Sequence, residues 1–157
     1  MYSALLTTIV LWISTNFGLP PNYEHPNIKL VPSEEIMFLR FKAFTSAQQR
    51  EILNQQHSDG QSVSGRREAV AVYDDQNATI FLPDTWKGDT PADLSVLVHE
   101  MVHHLQNQAH LRYECQGARE ELAYAAQKKW LGLFGRNLEA EFQIDPFTLK
   151  VSTTCGF

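Results

Sequence analysis

LVHEMVHHLQ, residues 97–106, holds three of the chain's six histidines and a glutamate within one apolar run. A helix around it is signalled from its N-terminus. Thr90 can cap it, Pro91 suits the first helical position, and Asp93 faces the positive end of the dipole. At about 100° per residue, a helix from Pro91 to about Gln108 places Leu94, Leu97, Val98, Met101, Val102 and Leu105 on one wide apolar face. His99 and His103 then lie about 40° apart, just beyond one edge of that face. Two imidazoles one turn apart can both reach one ion at about 2.0–2.1 Å. Glu100 sits on the flank, where a carboxylate can take a proton from metal-bound water without being a ligand. The spacing is the HExxH pattern of zinc-dependent hydrolysis; the plain alternative is an ordinary helix with two histidines on its rim.

A third ligand separates these readings, since catalytic zinc usually has three protein ligands and an open position for water. The downstream candidates are His104, His110, Glu114, Cys115, Glu120 and Glu121. The extended motif with a third histidine fails, because Gln106 stands where glycine is needed and Ala109 where histidine is needed. A second helix is expected from about Gln116 to Phe134, ending at Gly135, with Leu122, Ala123, Ala126, Trp130, Leu133 and Phe134 as its apolar face. Glu120 lies beside that face, in one sector with Tyr124, Gln127 and Leu131, whereas Glu121 shares a solvated side with Lys128 and Ala125. A carboxylate at the rim of a buried face is costly unless something pairs with it, so Glu120 is the expected third ligand. Its alternative role is a salt bridge or hydrogen bond to a nearby donor. Tyr124, one turn from Glu120, is a candidate catalytic donor, though a packed ring with a satisfied hydroxyl also accounts for it. His104 reads as a structural histidine. His110 and Tyr113 follow the helix and offer oxyanion donors or plain loop positions. Gln106 falls near both ligand histidines and suits the partner that metal-bound histidine normally needs for its other nitrogen.

HEMVHHLQ followed by EELAY resembles the gluzincin zinc metallopeptidases, whose second helix supplies a glutamate ligand, often in an E-x-x-A pattern. Glu120-Glu121-Leu122-Ala123 matches that pattern. The chain is also similar to small, largely uncharacterised bacterial zincin-like proteins, in which a strand and turn precede the motif as NATIFLPDTW does here. The resemblance spans about residues 69 to 131. It implies one Zn²⁺ held by His99, His103 and Glu120, with Glu100 assisting attack of a zinc-bound water on a peptide or protein substrate. It also implies that Thr79 to Leu82 is an edge strand beside the active-site helix, where an extended peptide can lie. The rival of another class is a non-catalytic zinc-binding or protein-interaction domain, its structural metal closed by a fourth ligand such as His104 or Cys115. A metal-free helical scaffold is the third reading.

The rest of the chain bounds these readings. Its 157 residues, 43% apolar, fit one domain with a real core. A formal charge of −5, with both signs interspersed, favours neither nucleic acid nor an anionic membrane. No Gly-rich phosphate loop points to a nucleotide. In residues 1–18, Leu5, Ile9, Trp12, Ile13 and Phe17 recur at helical spacing before a stop at Gly18, Pro20 and Pro21. An amphipathic helix is expected there, a signal peptide without an N-terminal basic residue being the alternative. The run is too short and too polar to span a bilayer, which takes about 20 apolar residues.

Cys115 and Cys155 are either a disulfide, closing a loop long enough for roughly 3–4 kcal/mol, or two buried thiols. The compartment stays open: cell envelope or secreted if they are bonded, otherwise cytoplasmic. Strands are expected at Ile28 to Val31, Ala69 to Tyr73 and Thr79 to Leu82, the last two joined by a turn from Asp74 to Asn77. Ser33 should start a helix to about Phe44, Gln48 to Arg67 reads as an exposed connection, and Phe142 to Val151 as irregular chain or a short strand. The expected fold is a single zincin-like α+β domain: a small antiparallel or mixed sheet packed on the HExxH helix and a second, glutamate-bearing helix.

Overall fold

A computed structural model describes residues 2–43 and 71–156. Its elements run α1 (Ser3–Phe17), β1 (Asn27–Val31), α2 (Ser33–Ala43), β2 (Val72–Asp74), β3 (Thr79–Pro83), α3 (Pro91–Gln108), α4 (Gln116–Gly132), α5 (Leu138–Phe142) and α6 (Pro146–Ser152). The described residues thus form a small mixed α+β domain with a three-stranded sheet and six helices. Among them no helix is long and apolar enough to cross a membrane. The expected connection from Gln48 to Arg67 lies outside the described residues.

The sheet order is β1-β3-β2. β1 runs parallel to β3, from Asn27 opposite Thr79 to Val31 opposite Pro83, and β2 pairs antiparallel with β3 from Val72 opposite Phe81 to Asp74 opposite Thr79. The segment from Thr79 to Leu82 is therefore the central strand, correcting its reading as an edge. The hairpin with β2 is local and legible, but the second partner comes from the N-terminal third, and parallel pairing leaves no short-range signal. Burial agrees: Thr79, Ile80 and Leu82 are buried, while β1 buries no residue. Asp74 shapes the turn by accepting from the backbone N–H groups of Gln76 and Asn77.

Helix α3 is the axis of the core. The Thr90 hydroxyl accepts from Asp93 N–H at 3.0 Å, and the Asp93 carboxylate takes the N–H groups of Lys87 and Gly88. Trp86 donates its indole N–H to the Asp93 carbonyl at 2.9 Å, which fastens the incoming loop. From Ser95 to Gln106 every residue of α3 is buried. α4 covers one side, and Leu6, Ile9, Val10 and Ile13 of α1 join the same cluster as Leu97, Val98, Met101, Val102 and Leu105. Each such side chain is worth about 1.5–3 kcal/mol when fully buried, so the helix is fixed on more than the single face the apolar stripe implies.

Helix α1 ends as expected, with Gly18 at φ +72 and its N–H on the Ser14 carbonyl. Its buried face is centred on Ile9 and Ile13, with Leu6 and Val10 in place of Leu5 and Phe17.

α4 ends at Gly132, so Leu133 and Phe134 are exposed instead of extending its apolar face. The start of α4 is tied to the tail by the Cys115–Cys155 disulfide. A Cβ on Gly117 would stand 2.8 Å from the Thr154 carbonyl oxygen, so glycine is what lets the two backbones approach. The tail is helical, which corrects the expectation of irregular chain or strand. Pro146 occupies the first turn of α6, where its missing N–H is harmless, and Asp145 caps the helix by accepting from Thr148 N–H. Asn137 caps α5 in the same way.

Candidate metal centre

The burial of α3 turns His99 and His103 toward α4 rather than toward water; they are 8% and 5% exposed. Glu120 of α4 lies between them. His99 Nε2 is 2.9 Å from Glu120 Oε2, and His103 Nε2 is 3.1 Å from Glu120 Oε1. One ligand atom from each residue falls within 4.8 Å of the others. Zinc donors at about 2.1 Å in tetrahedral array are about 3.4 Å apart, a spacing compatible with three donor atoms that lie within 4.8 Å of one another.

Hydrogen bonds behind the rings fix which nitrogens face the carboxylate. The Gln127 side chain donates to Ser95 Oγ at 3.3 Å, which leaves its carbonyl oxygen to accept from His99 Nδ1–H at 2.9 Å. The Gln106 side chain donates to the Arg119 carbonyl at 3.1 Å and accepts from His103 Nδ1–H at 2.9 Å. In a neutral imidazole whose Nδ1 carries the proton, Nε2 is a bare lone pair. Two such lone pairs pointing at a carboxylate repel it, so the cluster calls for a cation: a proton on the rings or a metal ion between them. The donor set of two imidazoles and one carboxylate fits zinc.

The electrostatics of Glu120 and His103 reflect this pairing. Burial alone pushes the Glu120 carboxyl up, but the hydrogen bonds and charges of both histidines outweigh it and hold the group far below the usual carboxylate range. Burial pushes His103 down, while Glu120, with Glu100 behind it, outweighs burial and holds the ring above its ordinary value.

Glu100 is 7% exposed, and among the described residues nothing hydrogen-bonds to its carboxylate. Its carboxylate is close enough to act electrostatically on His103, Arg119 and Tyr124. The Tyr124 and His99 rings meet in a T-shaped contact, with centroids 4.6 Å apart. Burial and then the Glu120 charge push its phenol up, so it keeps its proton and can donate. The Arg40 guanidinium of α2 stands beside that phenol.

The sequence model of a family described as a domain of unknown function, DUF6647, matches residues 44–156. The chain belongs to the DUF6647 family. No curated protein and no solved structure matches it.

The other candidates in this DUF6647 chain stand apart from the cluster. His104 is held by two partners: its Nε2–H donates to the Glu24 carbonyl at 2.8 Å, and its Nδ1 accepts from Tyr73 O–H at 3.0 Å. Burial holds its pKa below the ordinary value, in keeping with a neutral ring. Cys115 is in the disulfide, Glu114 and Glu121 are exposed, and His110 is an exposed left-handed residue at φ +54 after α3. Tyr113 lines a neighbouring cleft.

Three residues around the candidate centre have no role that the sequence alone assigns. Gln127 lies two turns beyond Glu120 on α4, a spacing that already puts it in the sector of Glu120. Ser95 precedes His99 by one turn and orients Gln127. Arg40 arrives from α2 by tertiary packing, for which the sequence carries no signal.

Proposed function

We propose that the chain is a zinc-dependent peptidase with a gluzincin-like centre, in which His99, His103 and Glu120 hold Zn²⁺ and Glu100 serves as general base. One observation carries the reading: two imidazoles whose Nδ1 protons are taken by Gln127 and Gln106 aim their Nε2 atoms at one carboxylate. Zinc bound there would lower the pKa of a water molecule and polarise a substrate carbonyl. The chain's own groups do the rest. Glu100, buried and without a hydrogen-bond partner among the described residues, accepts the proton of the attacking water and returns it to the leaving amine. Tyr124, protonated and beside His99, donates to the oxygen of the scissile carbonyl.

The structural-zinc reading requires a fourth protein ligand. The two residues considered for that role, Cys115 and His104, are committed to a disulfide and to Tyr73 and Glu24. That commitment favours an open position and therefore catalysis. The test is a pair of measurements on wild type and Glu100→Gln. Both should hold about one zinc per chain, and only wild type should cleave an unfolded protein substrate. Full activity in Glu100→Gln would remove the assigned role.

A further inference from the structure

A cleft of 310 Å³ opens beside the candidate centre, between the turn after β2, the end of α3 and the start of α4. Two of its lining residues also touch the ligand set. Gln106 accepts from His103, and Gln116 donates to Glu120 Oε1 at 3.3 Å. A group lodged in the cleft is thus one side chain away from the proposed metal ligands.

The charge in the cleft is already balanced. Arg119 directs both terminal guanidinium nitrogens at the Asp75 carboxylate, one of them at 2.8 Å. Burial lowers the Arg119 pKa, but the bond and charge of Asp75 outweigh it, so the guanidinium stays ionised and spent on its partner. The remaining polar lining is three carboxamides, Gln106, Asn107 and Gln116, and the Tyr113 phenol. Asn107 uses its amide donors on Tyr73 Oη at 2.9 Å and the Asp75 carbonyl at 3.0 Å, which leaves its carbonyl oxygen to accept. Gln116 likewise keeps its carbonyl oxygen, and Gln106 keeps one N–H. The cleft therefore offers both donors and acceptors but no uncompensated charge. A charged side chain entering it would lose water and gain no counter-ion, whereas a neutral group that both donates and accepts is matched.

The geometry points to this cleft as a substrate subsite that selects a neutral carboxamide or hydroxyl side chain from the peptide. The assignment rests on the peptidase reading. It predicts that one position near the scissile bond prefers Gln, Asn, Ser or Thr over Glu and Lys.

The test uses the zinc-loaded full chain with Glu100→Gln, so that binding is read without turnover. Fluorescence anisotropy would follow labelled hexapeptides carrying Gln, Glu or Lys at one position at a time in an Ala-Gly background. At one position Gln should bind about tenfold or more tighter than Glu and Lys. Adding Asp75→Asn frees the Arg119 charge and should turn that preference to Glu, while adding Arg119→Gln should turn it to Lys. A purely structural ion pair would weaken all peptides alike and not exchange their order. Equal binding at every position, or an order that neither variant changes, would overturn the subsite. If both variants fail to fold, the comparison of Gln, Glu and Lys peptides on the chain with Glu100→Gln alone still decides it. Cleavage of an unfolded protein by wild type is measured alongside. Cleavage without selectivity overturns the subsite alone, and selective binding without cleavage overturns the peptidase reading alone.

Discussion

Helix α3 is buried without a break from Ser95 to Gln106, whereas α4 buries five of its residues and leaves Glu121, Ala125, Lys128 and Lys129 in water. Both carry the candidate centre, but they are held differently. α3 has a side-chain cap, a proline in its first turn and a core on several sides. The N-cap residue of α4, Cys115, makes no capping side-chain bond, and the start of the helix is held by remote ties. These are the disulfide to Cys155, the close approach of Gly117 to Thr154, and the Arg119 grip on Asp75. Two of the proposed ligands therefore sit on an element that local chemistry and core burial define, and the third on one that distant parts of the chain put in place.

Glu100 offers the largest effect and tests the α3 half of this contrast. Glu100→Gln is expected to lower the hydrolytic rate by about 10²- to 10⁴-fold with zinc content unchanged, read by peptide cleavage and elemental analysis together. Loss of the metal as well would mean that Glu100 supports the site rather than the chemistry.

Reduction of the disulfide tests α4. Breaking Cys115–Cys155 frees the tail from the start of α4 and should lower stability by roughly 3–4 kcal/mol in denaturant unfolding, with zinc affinity falling too. Unchanged zinc affinity in the reduced, folded chain would show that α4 is placed without its remote tie.

How much of this was legible follows the same contrast. The limits of α3, the cap at Thr90 and the pairing of His99 with His103 could be read because residues a few positions apart dictate them. Helix phase and the cost of burying a carboxylate favour Glu120 over Glu121, and the structure brings Glu120 to both rings. Phase alone did not reveal that Gln127 would reach back to His99, since that depends on the angle between α3 and α4. The order of the sheet was hidden because β1 comes from far upstream, and the tail reads as irregular chain or a short strand although Asp145 and Pro146 supply the cap and first-turn proline that start α6. Arg40 had no local signature at all.

The glutamines behind the rings allow a finer comparison, one lying on each helix. Gln106→Leu and Gln127→Leu should each weaken zinc binding by about 10- to 100-fold, while Glu121→Gln should leave it unchanged, measured by competition with a chromophoric chelator. Equal affinities across all three variants would separate the imidazole orientation from metal binding.

The smallest effect is in pH. The Glu120 carboxyl is depressed below its ordinary 4.5, so its contribution to stability is present above that value and lost as pH falls through the depressed one. His103 is raised above its ordinary 6.5, so its contribution is full below 6.5 and lost as pH rises through the raised value. In chelator, the thermal midpoint should therefore fall by about 2–4 °C from about pH 6 to about pH 9 as the ring loses its proton opposite the carboxylate. Zinc should abolish that fall, since the ion then takes the place of the proton. A midpoint that rises with pH in chelator would contradict the assigned pairing.

The central claim is that α3 and α4 together make one zinc site. Elemental analysis of the purified, unchelated chain and of His103→Ala tests it most directly. About one zinc per wild-type chain, lost in the variant, is the predicted result. No zinc in the wild type, even after it is offered at neutral pH where the imidazoles can be neutral, would contradict it.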